Sequence, residues 1–210
     1  MANSKNYKLQ VYQALKEKIL SNEFGPNQYL EEKKLCEMMG VSRTPIREAI
    51  NLLAQENLVQ VIPNKGIFVT DISIQSVREL FDARAMIEPL VLQRALPNLD
   101  FDKILEFKQR TLDALERSDY SALHWLDYEF HNYINSCCRN SYMIQIMRNI
   151  SDQFQRVRTQ DFYSKERTEN GAHEHLQLIE LIIKGEREQA VEMLRKHINS
   201  TQEYYFRSLL

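Results

Sequence analysis

Glycine and proline are scarce in this 210-residue chain, with five of each. Having so few helix breakers and turn formers argues against a strand-and-turn fold and for long helices. Cysteine is scarcer still. Cys36 and the adjacent Cys137 and Cys138 give neither an even disulfide framework nor a Cys-x-x-Cys metal spacing, which fits a reducing compartment. No run reaches the ~18 apolar residues needed to cross a bilayer, and the opening MANSKNYKLQ has no apolar core. The expected location is the cytoplasm, with no membrane partner. A strong charge of either sign is also missing. The formal net charge is −2, with nine Lys/Arg against eight Asp/Glu in residues 1–72 and 18 against 21 in the remainder. The sign suits nucleic acid on the N-terminal side, but one surplus charge decides nothing. What the chain does have is 43% hydrophobic residues, enough for a sizeable core.

The first helix reads KLQVYQALKEKILSN, with Leu9, Tyr12, Leu15, Ile19 and Leu20 as its apolar stripe. Gly25-Pro26 breaks it, and a short helix follows over EEKKLCEMMG, with Gly40 as its stop. The next segment, VSRTPIREAI, starts a third helix capped by Ser42 or Thr44, with Pro45 in the first turn, where a missing N–H costs nothing. Ile46, Ile50 and Leu53, flanked by Ala49 and Leu52, form its inward stripe, and Asn57 is a residue able to end it in a left-handed conformation. Two β-rich runs, Leu58–Ile62 and Ile67–Thr70, flank Pro-Asn-Lys-Gly and predict a hairpin. Three helices and a β-ribbon describe a winged helix-turn-helix over residues 1–72.

Within that unit Arg43 and Arg47 violate a local preference. The first turn of a helix favours acids, because its unpaired N–H groups make that end positive. The second helix of a helix-turn-helix enters the DNA major groove N-terminal end first, and arginine reads guanine there through a two-pronged contact. Arg43 and Arg47 are therefore placed on base edges and Thr44 on a base or phosphate. Lys33, on the preceding helix, and Lys65, at the hairpin tip, are placed on phosphates. The plain alternative is solvated arginines, or arginines paired with Glu48 or a neighbouring helix.

The run from Val11 to Val69 resembles the DNA-binding domain of the GntR family of bacterial transcription regulators. Its most specific parts are GVSRTPIREAI and PNKGIFV. Asn27 and Asn57 stand where that family usually has glycine, and Cys36 where it has alanine. Asparagine tolerates the left-handed backbone, and cysteine is small, so neither departure opposes the resemblance. The resemblance implies Arg43, Thr44, Arg47, Lys33, Lys65 and Gly66 as DNA contacts, and a homodimer on a pseudo-palindromic double-stranded operator.

From residue 73 to 210 the pattern is helical throughout. Helices are predicted around Val77–Leu90 and over Phe101–Leu115, Tyr120–Asn135, Tyr142–Phe162, Ala172–Ile183 and Glu186–Tyr205. One break is placed at Asn170-Gly171. The fold class is thus mainly α: a winged helix-turn-helix (three helices and a short β-hairpin) followed by an all-α six-helix bundle. Asp127 and His131 lie four apart on one helix face. His175 lies 10 residues before Gly185 and His197 lies 12 after it. At ~1.5 Å per residue, an antiparallel pair brings both histidines to nearly the same layer. Three imidazoles and a carboxylate suit Zn²⁺, Mn²⁺, Fe²⁺ or Ni²⁺. Without a metal they are packing residues, the reading kept for His124 and His173.

The segments LFDARAMIE, DYEFHNYI and EHLQLIELIIKGEREQAVEMLRKHI, and more loosely RNSYMIQIM, resemble the all-helical FCD domain of FadR-like GntR regulators. That resemblance implies Asp127, His131, His175 and His197 as ligands of a divalent metal. The same donor set would suit a metallohydrolase, but its general base would have to be Glu129 or Glu174, both poorly aimed by helical phase. A purely structural metal, with an apolar effector, is a further alternative. The reading adopted is a regulator, expected to be a repressor and not an enzyme. A small carboxylate metabolite is expected on the open metal positions, with Arg84, Arg158 and Asn140 as effector contacts.

Overall fold

The computed structural model describes residues 2–159 and 164–207. Two compact units result. One comprises Met1–Ile74 with Gln155–Thr159, the other Gln75–Phe154 with Gln160–Leu210.

The first unit holds α1 (Ala2–Leu20), β1 (Tyr29–Leu30), α2 (Glu32–Met39), α3 (Arg43–Gln55), β2 (Val59–Ile62) and β3 (Gly66–Val69). Gly40 ends α2 with φ of 64°, the left-handed stop that glycine adopts at no steric cost. Ser42 precedes α3 in an extended conformation, and Pro45 falls within its first turn. The inward stripe of α3 is Ile46, Ala49, Ile50 and Leu53, all buried, so Arg43, Thr44 and Arg47 are turned to solvent. Asn57 follows at φ of 56°, a left-handed position after the helix as its side chain allows. In α1 the buried stripe is Val11, Leu15, Ile19 and Leu20, while Leu9 is 53% exposed. The expected stripe thus shifts by a fraction of a turn, and Tyr12 sends its hydroxyl to Glu56 Oε1 at 2.6 Å.

The wing differs from the expected hairpin by one strand. The sheet has three antiparallel strands in the order β1-β3-β2, with Tyr29 opposite Phe68 and Leu30 opposite Ile67. A two-residue strand is too short to show alternation in the sequence, which hides it.

The helices after the wing are α4 (Ile74–Ala95), α5 (Phe101–Glu116), α6 (Tyr120–Ser136), α7 (Ser141–Arg158), α8 (Lys165–Ile183) and α9 (Arg187–Arg207). Phe81, Val91, Leu92, Ile104, Phe107, Phe130, Ile134, Leu178, Ile179, Leu194 and Ile198 fill the core of the second unit. The predicted continuation of α7 beyond Thr159 lies outside the described residues. The predicted break at Asn170-Gly171 is absent. Ser164 caps α8 through Arg167 N, and the helix runs straight through a buried Gly171. Its length matters, because it places Arg167, Gly171 and Glu174 along one face. No described helix is long and apolar enough to cross a membrane.

Candidate functional site

Arg43, Thr44 and Arg47 of α3, Lys33 of α2 and Lys65 at the wing tip are all exposed. An open groove of about 620 Å³ runs between α3 and the wing and includes Arg43, Arg47, Tyr29 and Gly66 in its walls. Arg43 makes no hydrogen bond or ion pair among the described residues. Arg47 does: its Nε and Nη2 hold Glu32 of α2 in a fork at 2.9 and 3.0 Å. For Arg47 this is the pairing with a neighbouring helix that was weighed as the plain alternative to DNA, with Glu32 of α2 and not Glu48 as the acid. The fork uses Nε and one Nη2 proton of a mostly exposed side chain, so Nη1 and the second Nη2 proton remain to meet a base or phosphate. Lys33 lies 3.9 Å from Glu37 and stays mostly solvated. Gly66 has φ of 112°, and a Cβ there would sit 2.5 Å from Tyr29 Cε2, so only glycine lets the ring lie over the wing.

In the second unit Asp127 and His131 of α6, His175 of α8 and His197 of α9 converge. All are at most 8% exposed, and one ligand atom from each falls within 4.8 Å of every other. His175 Nε2 is central, 3.2 Å from His131 Nε2, 3.3 Å from His197 Nε2 and 3.4 Å from Asp127 Oδ1. Donors bound at ~2.1 Å to one tetrahedral ion lie roughly 3.4 Å apart, so these separations suit a shared first-row divalent metal.

The proton inventory supports the same reading. His131 Nδ1 is 3.1 Å from Glu88 Oε2, and His197 Nδ1 is 2.7 Å from Glu174 Oε2. Each carboxylate fixes a proton on Nδ1 and so leaves Nε2 as a bare lone pair. Two lone pairs then point at the third imidazole, which can donate at most one proton. A cation satisfies all of them at once.

Both carboxylates are held ionised. Burial works to raise the Glu88 carboxyl, but the Arg84 guanidinium and the hydrogen bonds from His131 and Arg84 outweigh it and hold it at about 2. Burial likewise opposes ionisation of Glu174, and hydrogen bonds from His197 and Arg167 bring it to about 2. Burial lowers the His197 imidazole, which keeps it neutral. A carboxyl whose folded value lies below its unfolded value of about 4.5 stabilises the fold above that pH and loses the contribution as pH falls towards 2. At ~1.4 kcal/mol per unit, Glu88 contributes on the order of 3 kcal/mol across that window. Urea unfolding from pH 5 down to pH 2 is expected to show a shallower loss of stability for Glu88→Gln than for the wild type.

Two family profiles match. "Bacterial regulatory proteins, gntR family" covers residues 7–69, and "FCD domain" covers residues 79–200. The chain belongs to the GntR family. It is a DNA-binding transcription regulator with an FCD domain, not an enzyme. The transcriptional repressor GlaR of Escherichia coli K12 is 27% identical over 198 residues, covering 89% of this chain and 90% of that protein. A GntR regulator from Rhodococcus sp. RHA1 has the same fold, with a TM-score of 0.82 at 20% identity over 95% of this chain and 97% of its own. The Zn²⁺-bound FCD domain of TM0439 superposes with a TM-score of 0.57 at 24% identity, over 64% of this chain and 94% of its own.

Of the effector contacts expected in the FCD domain, Arg84 is 2% exposed on α4. Its Nε and Nη2 hold Glu88, its guanidinium stacks 3.5 Å over the Phe154 ring, and Nη1 has no hydrogen-bond partner among the described residues. Arg158 is buried in the last turn of α7, in the stretch that clusters with the first unit and not with the histidines. Asn140 spends its amide oxygen on the Tyr142 and Met143 N–H groups at the start of α7, which makes it a helix cap. Glu129, weighed as a general base, is a surface residue paired with Arg110 at 2.7 Å. Glu174 was judged badly aimed because it neighbours His175, yet it serves His197 on the adjacent helix. Glu88 was missed, although the Arg84-x-x-x-Glu88 spacing within ARAMIE marks an ion pair along one helix face.

Proposed function

We propose that this regulator is a homodimeric, cytoplasmic repressor whose FCD domain carries a divalent transition metal and answers to a small carboxylate. The observation that carries this reading is the meeting of the His131, His175 and His197 Nε2 atoms with Asp127 Oδ1, with two of the rings fixed through Nδ1 by Glu88 and Glu174. Asp127, His131, His175 and His197 would hold the ion, whose identity lies among Zn²⁺, Mn²⁺, Fe²⁺ and Ni²⁺. The Zn²⁺ of the TM0439 FCD domain supports it. A bound ion supplies positive charge and open coordination positions, and Arg84 Nη1, buried without a hydrogen-bond partner among the described residues, is a candidate for a second carboxylate oxygen. Arg158 and Asn140 are weaker candidates given their placement.

On the DNA side, Arg43 and Arg47 are proposed to read base edges of a pseudo-palindromic operator on the nucleoid. Thr44, Lys33, Lys65 and the Gly66 backbone hold the phosphates. Repression is the reading because the relative GlaR bears that name. The effector can shift DNA affinity only by the difference in its affinity for the two states of the dimer.

A thermal-melt panel tests the effector class. Acetate, L-lactate, succinate and citrate, with acetamide as the uncharged control, are added to protein loaded with Zn²⁺ or Mn²⁺ and to protein stripped with EDTA. Binding at ~100 times Kd adds about 2.7 kcal/mol, or roughly 5–10 °C for a chain of this size. A rise with one of these carboxylates only in loaded protein is expected. An equal rise in stripped protein would remove the metal from the effector site, and a rise with acetamide would remove the requirement for charge.

A further inference from the structure

Arg167, Glu174 and His197 form a buried chain of hydrogen bonds that ends on the metal-facing cluster, and no role described so far uses Arg167. Arg167 is 5% exposed. Its Nη1 and Nη2 donate to Glu174 Oε1 and Oε2 at 3.2 and 2.7 Å, and Nη2 also donates to Thr201 Oγ1 at 2.6 Å. Ser200 Oγ donates to Glu174 Oε1 at 2.8 Å, and His197 Nδ1 meets Oε2 at 2.7 Å. Gly171 lies between Arg167 and Glu174 on the same face of α8, and a Cβ there would already be 4.0 Å from Arg167 Nη2. The helix expected to break at this glycine instead runs on through it.

We infer that Arg167 is a positioning residue for the metal centre: it fixes Glu174, and through Glu174 the ring orientation and Nδ1–H tautomer of His197. The inference rests on the metal reading above. A buried carboxylate with a single imidazole partner could rotate, or take up the imidazole proton. One saturated by a two-pronged arginine and a serine hydroxyl can do neither without breaking charge-assisted hydrogen bonds. The His197 lone pair is then aimed before an ion arrives, and the ordering cost is met in folding and not in binding. Arg84 and Glu88 stand in the same relation to His131, so two of the three imidazoles are each buttressed by an Arg–Glu pair.

Full-length Arg167→Lys, Glu174→Gln and Asp127→Ala proteins are compared with the wild type by Zn²⁺ competition against a chelating dye. Imidazole ¹⁵N spectra of the EDTA-treated proteins are recorded in parallel. Removing such an orienting partner costs about 10- to 100-fold in metal affinity. Glu174→Gln is expected to show that loss. Arg167→Lys, which keeps the charge and lacks the fork, is expected to show a smaller one, with the His197 ring shifted from the Nδ1–H tautomer towards a mixture. Asp127→Ala, as a ligand deletion, loses more than either. Wild-type Zn²⁺ affinity and an unchanged tautomer in Arg167→Lys would overturn the inference even if Glu174→Gln failed to fold. Wild-type affinity in Asp127→Ala would instead sink the metal reading itself.

Discussion

Arg47→Ala is expected to lose operator discrimination while keeping its fold. Arg47 is exposed on α3 and contributes nothing to the Ile46–Ala49–Ile50–Leu53 stripe that packs the helix. A good two-pronged base contact carries about 1–3 kcal/mol of discrimination, and the proposed homodimer would use it twice, so a ~30-fold to 10⁴-fold loss is expected over both half-sites. Non-specific DNA, bound through phosphates, should lose far less. Removing the guanidinium also leaves Glu32 unpaired towards the DNA, which adds repulsion and places the expected loss near the upper end. Arg47→Lys separates charge from shape, since lysine restores the positive charge without the fork. Its affinity for random duplex should approach that of the wild type, with operator preference still lost. The operator is first obtained by selecting from a random duplex pool with wild-type protein. Unchanged operator affinity in Arg47→Ala would remove α3 from base reading.

His175→Ala is expected to abolish metal-dependent stabilisation. Its Nε2 is the atom from which the distances to Asp127, His131 and His197 all run, so no pair of the remaining ligands replaces it. An ion at ~1,000 times Kd adds about 4 kcal/mol to the native state, or roughly 8–16 °C in melting temperature for a chain of this size. Truncating a buried imidazole destabilises the metal-free protein as well. The diagnostic quantity is therefore the rise on adding Zn²⁺ to EDTA-treated protein, which should be large in the wild type and absent in the variant. The wing and α3 belong to the other unit, so binding to random duplex should persist.

Residues that act through their own helix were readable in the sequence. The spacing of Ile46, Ile50 and Leu53 turned Arg43 and Arg47 outward, and the four-residue step from Asp127 to His131 put both on one face. The similar offsets of His175 and His197 from Gly185, 10 and 12 residues, predicted nearly the same layer, and the structure brings their Nε2 atoms to 3.3 Å. Residues that act across helices were not readable. Helical phase correctly showed Glu174 pointing away from His175, but phase on one helix says nothing about what stands opposite on the next. Glu32 escaped notice for the same reason, since its partner is on α3. Strand β1 escaped because two residues carry no period. Gly171 misled because scarce glycines in a helical chain usually mark ends, whereas α8 runs straight through this one.

The central claim is that the histidine cluster is a metal centre, and elemental analysis tests it most directly. Wild-type protein is purified without chelator, offered Zn²⁺ or Mn²⁺ and dialysed, alongside Asp127→Ala and His197→Ala. The account predicts one equivalent of a divalent transition metal per chain in the wild type and close to none in either variant. Metal-free wild-type protein after that exposure, or full stoichiometry in both variants, would contradict it and leave His131, His175 and His197 as packing residues.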